Sequence, residues 1–400
     1  MPESSFESSL RDGLQERQAQ HLHRTLRQVP EGVIDLASND YLGLARHPAV
    51  ISAACDAVRS LGAGARASRL VSGHTALHAQ LESELAAFKD CEAALVFPSG
   101  YHANLSVIAS LAHADDMLLC DKRNHASLID ACRLAQASGA TVRYYSSLGK
   151  LQTLLQARSA RDSEFRSFIV SDAVYSMDGD VADLPKLLEL AEQFEATIIL
   201  DDAHGTGTLG QTGRGVLEYF GLHQERNTTS NAGSSSPPHP AIIQIGTLSK
   251  ALGSQGGFVV GSRTLIDWLV NMARPFIYTT ALNPASCAAA TAALEIIRHE
   301  PHRIARLRET TRRLAAGLQE LGFDARLQPS PIVPVLAGDA ARAVAWSDAL
   351  LRHGVWCPAI RPPTVPAGSS RLRVTVSAAL EDQHIEHVLE AFAQVRREYS

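Results

Sequence analysis

The sequence predicts an α/β fold with a mainly parallel central sheet flanked by helices. Short, β-branched apolar runs alternate with amphipathic segments of helical length along most of the 400 residues, and this alternation is typical of parallel sheets covered by helices. Two of the runs, at 196–200 and 241–245, are followed within two residues by polar side chains. The hydrophobic fraction of 45% supplies enough apolar side chains for a large core.

Helices are predicted where apolar residues recur every three or four positions, and strands where short apolar runs are bounded by turn residues. The N-terminal helix depends on leucines with four-residue spacing, and glycines 62, 64 and 73 interrupt the pattern that follows. In chain order we predict a helix over 6–28, a turn at 38–43, helices near 48–61 and over 76–88, a strand at 93–97, a helix that opens at Ser99-Gly100-Tyr101, a strand and helix at 117–120 and 126–135, a strand and helix at 167–171 and 184–194, strands at 196–200, 241–245 and 257–261, and a helix through 271.

A long helical pattern from Pro284 to about Leu321 marks a change in organisation, and strands and helices alternate from there to the end. We therefore place a domain boundary near residue 284. Residues 226–240 are rich in Ser, Pro and Asn, and they are predicted to form a mobile surface loop because they bury little apolar surface. The predicted units are an N-terminal helix and arm over 1–47, a large domain over 48–283 and a smaller α/β domain over 284–400.

Charge and composition argue against several classes of partner. The net charge of −5 gives no general attraction to nucleic acid or to an anionic membrane. No apolar run approaches the roughly 18 residues that span a bilayer, and residues 1–11 lack the apolar core of a signal peptide. The six cysteines are scattered without a Cys-x-x-Cys pair, which predicts free thiols in a cytoplasmic protein.

Three polar side chains follow two of the predicted strands. Asp201 and His204 come after the first, and Lys250 comes after the second, three residues beyond Thr247. The carboxyl ends of strands form the ligand crevice in open α/β sheets, and a pyridoxal phosphate (PLP) enzyme needs a lysine for its Schiff base and a carboxylate for the ring nitrogen. A turn-capping acid with a backbone-bonded histidine is the alternative. A metal site is disfavoured, since no pair of ligands with metal-binding spacing stands at these positions.

Two helix starts add candidate cofactor contacts. Ser99-Gly100-Tyr101 opens a helix directly after a strand, and the free backbone N–H groups of a helix start bind phosphate. The hydroxyls of Thr247 and Ser249 offer further phosphate contacts, although the Walker spacing of glycines and lysine is absent. His125 begins another predicted helix, either as a flat ring that stacks on a cofactor or as an ordinary helix start.

Two glycine patterns match a dinucleotide fingerprint without its structural context. Residues 62–67 fit Gly-x-Gly-x-x-Ala but follow a helical pattern, whereas the fingerprint follows a strand. Residues 205–210 fit Gly-x-Gly-x-x-Gly after a strand, yet Gly213 and Gly215 interrupt the helix that should come next. A nucleotide-binding oxidoreductase or a non-catalytic binding protein on a similar sheet is the rival from another class.

Five motifs together resemble one family. They are Ser38-Asn-Asp-Tyr-Leu-Gly43, His125-Ala-Ser-Leu, Tyr175-Ser-Met-Asp-Gly-Asp180, Asp201-Asp-Ala-His-Gly-Thr-Gly207 and Ile360-Arg-Pro-Pro-Thr-Val-Pro366. Over about residues 10–395 the chain is similar to the α-oxoamine synthases, PLP enzymes that condense an amino acid with an acyl thioester and release carbon dioxide. The resemblance implies the fold-type I PLP-dependent transferase fold, with a smaller C-terminal α/β domain.

The resemblance implies a role for each matching residue. Lys250 would bind PLP as an imine and act as base, Asp201 would pair with the pyridine nitrogen, and His204 would bond the ring oxygen. His125 would stack on the ring and donate to the oxyanion of the acyl substrate. The other implied cofactor contacts are Gly100, Tyr101, Ser176 and Thr247. The implied substrate contacts are Arg373, which grips the amino acid carboxylate, Asn39, His125, Thr364 and Arg24, with Arg27 as an alternative to Arg24.

The motif wording favours members of the family that use L-alanine in biotin biosynthesis. The implied partners are L-alanine and pimeloyl-CoA or pimeloyl-acyl-carrier protein, in a homodimer with shared active sites. A glycine acetyltransferase acting on acetyl-CoA and an aminotransferase are the nearer rivals. Three segments depart from the family: 226–240 resembles an insertion, Asp172 stands where relatives commonly carry Glu, and 64–68 replaces a glycine-richer loop.

Overall fold

The computed structural model describes residues 5–20, 22–160, 165–222 and 242–399. The predicted loop at 226–240 lies outside these residues. The strands are β1 Ile34–Asp35, β2 Ala93–Phe97, β3 Met117–Asp121, β4 Thr141–Tyr145, β5 Ser167–Asp172, β6 Thr197–Asp201, β7 Ile242–Thr247, β8 Gly257–Gly261, β9 Asp324–Ala325, β10 Ile332–Gly338, β11 Val355–Trp356, β12 Ala359–Ile360 and β13 Ser370–Thr375.

Helices alternate with these strands along most of the chain, as the sequence predicts. They are α1 Ser5–Ala19, α2 Pro48–Leu61, α3 Ala76–Phe88, α4 Gly100–Leu111, α5 Ala126–Ala137, α6 Leu148–Ser159, α7 Leu184–Gln193, α8 Val216–Tyr219, α9 Arg263–Met272, α10 Arg274–Ile277, α11 Pro284–His299, α12 His302–Glu320, α13 Ala340–Arg352 and α14 Asp382–Glu398. A short 3-10 helix at Leu44–Arg46 and a π-helical turn at Arg69–Gly73 precede α2 and α3 respectively.

A seven-stranded sheet forms the centre of the larger part of the fold, in the order β2-β8-β7-β6-β5-β3-β4. Its strands are parallel except for β8, which is antiparallel to both neighbours. Side chains alternate between the two faces: Ile199 packs among α4 and α5, while Ile198 and Leu200 pack against α6 and α7. Burial on both faces explains why these strands are almost wholly apolar in sequence. The predicted α/β class with a mainly parallel sheet is confirmed.

The C-terminal part contains a four-stranded sheet in the order β12-β13-β10-β9, which packs with α12 and α13, and α14 packs on these two helices. Helix α11 instead packs on α2 and α3, so one apolar cluster extends from the larger part into the smaller one. The helical pattern after Pro284 forms two helices rather than one, because Pro301 stands at the break between α11 and α12. The division near residue 284 stays a prediction.

The predicted N-terminal helix over 6–28 is too long, because α1 ends at Ala19 and residues 22–30 form no helix. No residue of α1 is buried, and Leu26 is fully exposed. A helix without an apolar face against a core depends on propensity alone, so the leucine spacing does not extend it.

Strand β4 and helix α6 were not predicted from the sequence, since β4 is an edge strand with exposed residues in its middle.

Within the described residues, no helix is both long and apolar enough to cross a membrane.

The turn after β6 is held by a buried ion pair between Lys89 and Asp202. The Lys89 Nζ atom lies 2.7 Å from Asp202 Oδ2 and also donates to Thr206 Oγ1 and to the carbonyl oxygen of Arg214. Burial raises the pKa of the Asp202 carboxyl, and the Lys89 ammonium opposes that rise. With these three acceptors, each hydrogen of the Lys89 ammonium has a partner, which a buried charge requires.

We expect Lys89→Met to lower the free energy of unfolding by about 3–5 kcal/mol, because it leaves the Asp202 carboxylate buried without its cation. Urea denaturation measures this loss. Lys186→Met is the matched control, since Lys186 pairs with Glu189 on an exposed helix face and such pairs contribute about 0–1 kcal/mol. Equal losses in the two variants would contradict the assignment.

Candidate active site

The candidate site lies at the carboxyl ends of β5, β6 and β7. Asp201 is the last residue of β6 and stands in register with Asp172 of β5 and Ile245 of β7. Its buried carboxylate accepts hydrogen bonds from Asn104 Nδ2 at 2.7 Å and from the Ala203 backbone N–H at 2.9 Å. Donors to the ionised form stabilise the charge of a carboxylate, so one buried negative charge is fixed at this edge of the sheet.

Lys250 follows β7 in a turn and is half-buried. Burial lowers the pKa of its amine to about 8, and the nearby Arg373 guanidinium lowers it further, while the carboxylates of Asp201 and Asp172 oppose the shift. A substantial fraction of neutral amine therefore exists near pH 8. A neutral amine is the form that attacks a carbonyl or removes a proton.

Asp172 is a second buried carboxyl group beside Asp201. Its Oδ2 atom accepts the His125 backbone N–H at 2.7 Å. Burial raises the pKa of Asp172 well above its usual value, and the charge of Asp201 raises it further. Asp172, which stands where relatives commonly carry Glu, thus contacts the start of α5. The negative charge of the site is concentrated on Asp201.

His204 is buried and lies next to Tyr41, a residue that the sequence analysis did not select. The Tyr41 hydroxyl is 2.6 Å from His204 Nδ1. Burial lowers the pKa of His204 well below its ordinary value, with further lowering by Lys250 and Arg373. Burial also raises the pKa of Tyr41 to about 12, so a protonated phenol faces a neutral imidazole. Tyr41 belongs to the Ser38–Gly43 motif, and a tyrosine in that motif was the available signal.

His125 caps the N-terminus of α5 with its own side chain. Its Nδ1 atom accepts the Ser127 backbone N–H at 3.2 Å and lies 2.8 Å from Ser127 Oγ. Desolvation lowers the pKa of His125, and the positive charge of Lys250 adds to that effect. The charge of Asp201 opposes this lowering, the net direction favours the neutral ring, and the helix start fixes the orientation of the ring.

The predicted phosphate contacts also meet in space. Gly100 opens α4, and a Cβ atom built on it would lie 3.6 Å from Thr247 Cβ. Thr247 Oγ1 is 2.7 Å from Ser249 Oγ and donates to the Gly256 carbonyl oxygen at 2.8 Å. Tyr101 is exposed, and its hydroxyl donates to Asp130. The N-terminus of α4 and the hydroxyls after β7 therefore share one corner of the site.

Arg373 of β13 reaches the site from the C-terminal part. Its Nε atom donates to the Ser176 carbonyl oxygen at 2.5 Å, and both terminal nitrogens donate to Asn39 Oδ1 at 3.2 Å. The Arg373 side chain is buried. Three residues predicted from separate motifs thus lie in contact, and they place a planar guanidinium near Lys250 and His204.

Two further predicted substrate residues contact each other at the surface. Arg24 Nη2 lies 3.4 Å from Thr364 Oγ1, whereas Arg27 pairs with Asp348 at 3.8 Å. The sequence left open whether Arg24 or Arg27 contacts the substrate. Arg24 is the one that lies beside Thr364, which is also a predicted substrate contact.

The residues present fit PLP. An amine with a lowered pKa, a buried carboxylate that already holds two donors, and a helix start beside two hydroxyls match the aldehyde, the ring nitrogen and the phosphate of the cofactor. Asn104, which donates to Asp201, was missed from the sequence because an asparagine inside a helix carries no signal of its own. Among the described residues, no group of three or more His, Cys, Asp and Glu side chains is arranged to hold a metal ion.

Comparison with known proteins supports the same chemistry. The model of the aminotransferase class I and II family matches residues 31–392. A Cellvibrio japonicus protein named 8-amino-7-oxononanoate synthase is 43% identical over 403 residues, covering 98% of this chain and 96% of the relative. A relative of the same name from Anaeromyxobacter dehalogenans is 46% identical over 364 residues, covering 91% and 86%.

Solved structures show the same fold. A serine palmitoyltransferase from Sphingomonas wittichii has a TM-score of 0.86 at 30% identity and covers 98% of both chains. An SPT structure that contains PLP has a TM-score of 0.86 at 29% identity, covering 98% of both chains. The 8-amino-7-oxononanoate synthase of Francisella tularensis has a TM-score of 0.74 at 26% identity, covering 93% of this chain and all of that one.

We expect Lys250 in the cofactor-free protein to titrate with a midpoint near pH 8. With that pKa, the neutral amine rises from about a tenth at pH 7 to about nine-tenths at pH 9. Competitive labelling with acetic anhydride, followed by mass spectrometry of the Lys250 peptide, measures the curve. Asp201→Asn should move the midpoint to lower pH, because it removes a charge that raises this pKa. A midpoint above pH 10 would contradict the burial of the amine.

Proposed function

Since this chain belongs to the aminotransferase class I and II family, and within it to the 8-amino-7-oxononanoate synthases, PLP-dependent acyltransferases of biotin biosynthesis, we propose that it condenses L-alanine with a pimeloyl thioester. The products would be 8-amino-7-oxononanoate, carbon dioxide and a free thiol. The observation that carries the proposal is the meeting of Lys250, Asp201 and Arg373 at one edge of the sheet.

Besides His125, which would stack on the ring, seven residues of the chain would hold the cofactor. Lys250 would bind its aldehyde carbon, Asp201 would keep a proton on its ring nitrogen, and His204 would bond its phenolic oxygen. Gly100, Tyr101, Ser176 and Thr247 would complete the contacts. When bound, PLP supplies an electron sink for a carbanion at the α-carbon of the amino acid.

Arg373 would bind the carboxylate of L-alanine. A guanidinium binds a carboxylate through charge-assisted hydrogen bonds, and the contacts of Arg373 with Ser176, Asn39 and Thr375 hold its plane in one orientation. Lys250 would then remove the α-proton of alanine, since its amine has a lowered pKa and lies in the electrostatic reach of Arg373. Arg373 therefore orients the atom on which Lys250 acts.

The acyl half of the reaction would use His125. A bond forms between the alanine α-carbon and the acyl carbon, the C–S bond breaks, and the thiolate leaves with a proton. His125 has its Nδ1 atom occupied by Ser127, which leaves Nε2 as its donor to the acyl oxygen. Arg24 and Thr364, which contact each other, would bind the acyl chain further out. Loss of the carboxylate as carbon dioxide and return of a proton complete the product.

We further propose a cytoplasmic homodimer. The six cysteines all lie in the described residues and form no disulfide, as expected in a reducing compartment. Apolar side chains of α1, among them Phe6, Leu10 and Leu14, are exposed in the single chain, and a second copy is the partner that family membership favours. Sedimentation velocity measures the mass in solution.

We expect the PLP-loaded protein to release thiol with L-alanine plus pimeloyl-CoA and not with glycine plus acetyl-CoA. Release is followed with a thiol-reactive dye. Lys250→Ala should abolish both the turnover and the visible absorbance of the loaded protein, because no other amine occupies that position. Turnover with the glycine pair alone would move the function to a glycine acetyltransferase, and full activity of Lys250→Ala would refute the role of the lysine.

We expect Arg373→Lys to raise the KM for L-alanine about tenfold to a hundredfold, as the loss of one charged hydrogen bond predicts, with a smaller change in kcat. Arg371→Lys is the matched control, since Arg371 lies two residues away on β13, is equally buried and pairs with Asp178. An unchanged KM in Arg373→Lys, or an equal rise in both variants, would contradict the assignment of the carboxylate site.

A further inference from the structure

We propose that Asn104 is a positioning residue that joins the Asp201 carboxylate and, through Ser127, the His125 imidazole into one hydrogen-bonded unit with the His125 hydrogen on Nε2. This inference rests on the proposed function and deepens it, because Asp201 and His125 act there on the ring nitrogen and on the acyl oxygen.

The amide of Asn104 provides both links. Asn104 lies in α4 and is 1% exposed, and its Nδ2 atom is 2.7 Å from Asp201 Oδ2 and 2.8 Å from Ser127 Oγ. The opposite amide orientation would place its oxygen against the carboxylate, two acceptors without a hydrogen between them. The two amide hydrogens therefore serve Asp201 and Ser127.

The amide oxygen supports the same reading. Asn104 Oδ1 is buried and has no hydrogen-bond partner within the described part of the chain. An unpaired buried acceptor is unfavourable, so the contribution of this side chain at the position comes from its two donors. Asn104 keeps an unpaired oxygen and places both donors on residues of the site.

The start of α5 determines which nitrogen of His125 carries the hydrogen. The Ser127 backbone N–H points at Nδ1 from 3.2 Å, and a backbone N–H can only donate. Nδ1 is therefore an acceptor, and in the neutral ring the hydrogen stands on Nε2. Ser127 Oγ accepts from Asn104, which leaves its own hydrogen for Nδ1 at 2.8 Å.

The inference assigns two effects to one side chain. The donor to Asp201 favours the ionised carboxylate that a protonated ring nitrogen needs. The donor to Ser127 orients the hydroxyl that keeps His125 in the tautomer able to donate from Nε2. Changes at Asn104 should therefore affect both ends of the unit, while changes at Ser127 should affect the His125 end alone.

The first test is the nitrogen NMR spectrum of the cofactor-free protein labelled with ¹⁵N-histidine. The His125 signals are identified by their absence in His125→Gln. We expect a protonated Nε2 and an unprotonated Nδ1 at pH 7, and a hydrogen on Nδ1 would overturn the inference. The measurement involves no substrate, so a failure of the thiol-release assay would leave its outcome unaffected.

The second test compares Asn104→Leu, which keeps the branching of the side chain, with Ser127→Ala. We expect Asn104→Leu to raise the dissociation constant of PLP at least about tenfold, as loss of a hydrogen bond to a charged group predicts. Ser127→Ala should keep that constant within about twofold and shift only the His125 nitrogen signals.

Ser106→Ala is the matched control, because Ser106 is a buried residue of the same helix whose hydroxyl has no hydrogen-bond partner in the described chain. It should leave PLP binding and the His125 signals unchanged. Wild-type PLP affinity in Asn104→Leu, or equal weakening by Ser127→Ala, would overturn the inference. If Asn104→Leu does not fold by circular dichroism, the His125 spectra of the wild type and of Ser127→Ala decide.

Discussion

A single buried carboxylate at the end of β6 is the constraint around which this molecule is arranged. An ionised Asp201 is unfavourable in a buried position unless donors surround it, and the chain supplies Asn104 from α4 and the backbone of Ala203. The register of the parallel sheet then fixes which neighbours share that edge, with Asp172 on one side and β7 on the other. Lys250 extends from β7 into the field of this charge.

Asp201 carries most of the negative charge of the site, because burial favours the neutral forms of two neighbouring groups. Burial keeps His204 neutral and disfavours the ionised form of Asp172. Positive charge is supplied by Arg373, which arrives from the smaller sheet and lowers the pKa of Lys250. Burial is the main cause of the lowered pKa of Lys250, and Arg373 adds to it. Because Arg373 is held by Asn39 and Ser176 from other segments, the packing of the C-terminal part contributes to how this amine titrates.

The sequence predicted the elements whose residues are buried on both faces, and it predicted the polar residues that follow them. Asp201 was recognisable because it directly follows an apolar run, and Lys250 because it follows the next run by a short polar turn. Arg373 was recognisable only through family resemblance. Asn104 and Tyr41 were missed, since their roles arise from contacts between segments far apart in the chain. The extension of α1 to residue 28 was wrong because, in a helix that buries none of its residues, the leucine spacing does not determine where the helix ends.

The buried pair of Lys89 and Asp202 also limits how this sequence can diverge. Side chains added at Gly205 or Gly215 would overlap the Asp202 carboxylate, and Gly215 has a φ of 102° that favours glycine. Positions 89, 202, 205 and 215 therefore accept substitutions only together. A replacement at any one of them alone gives a less stable protein. Drift in this turn should be slow, and swapping it between homologues should succeed only when the residue at position 89 is transferred with it.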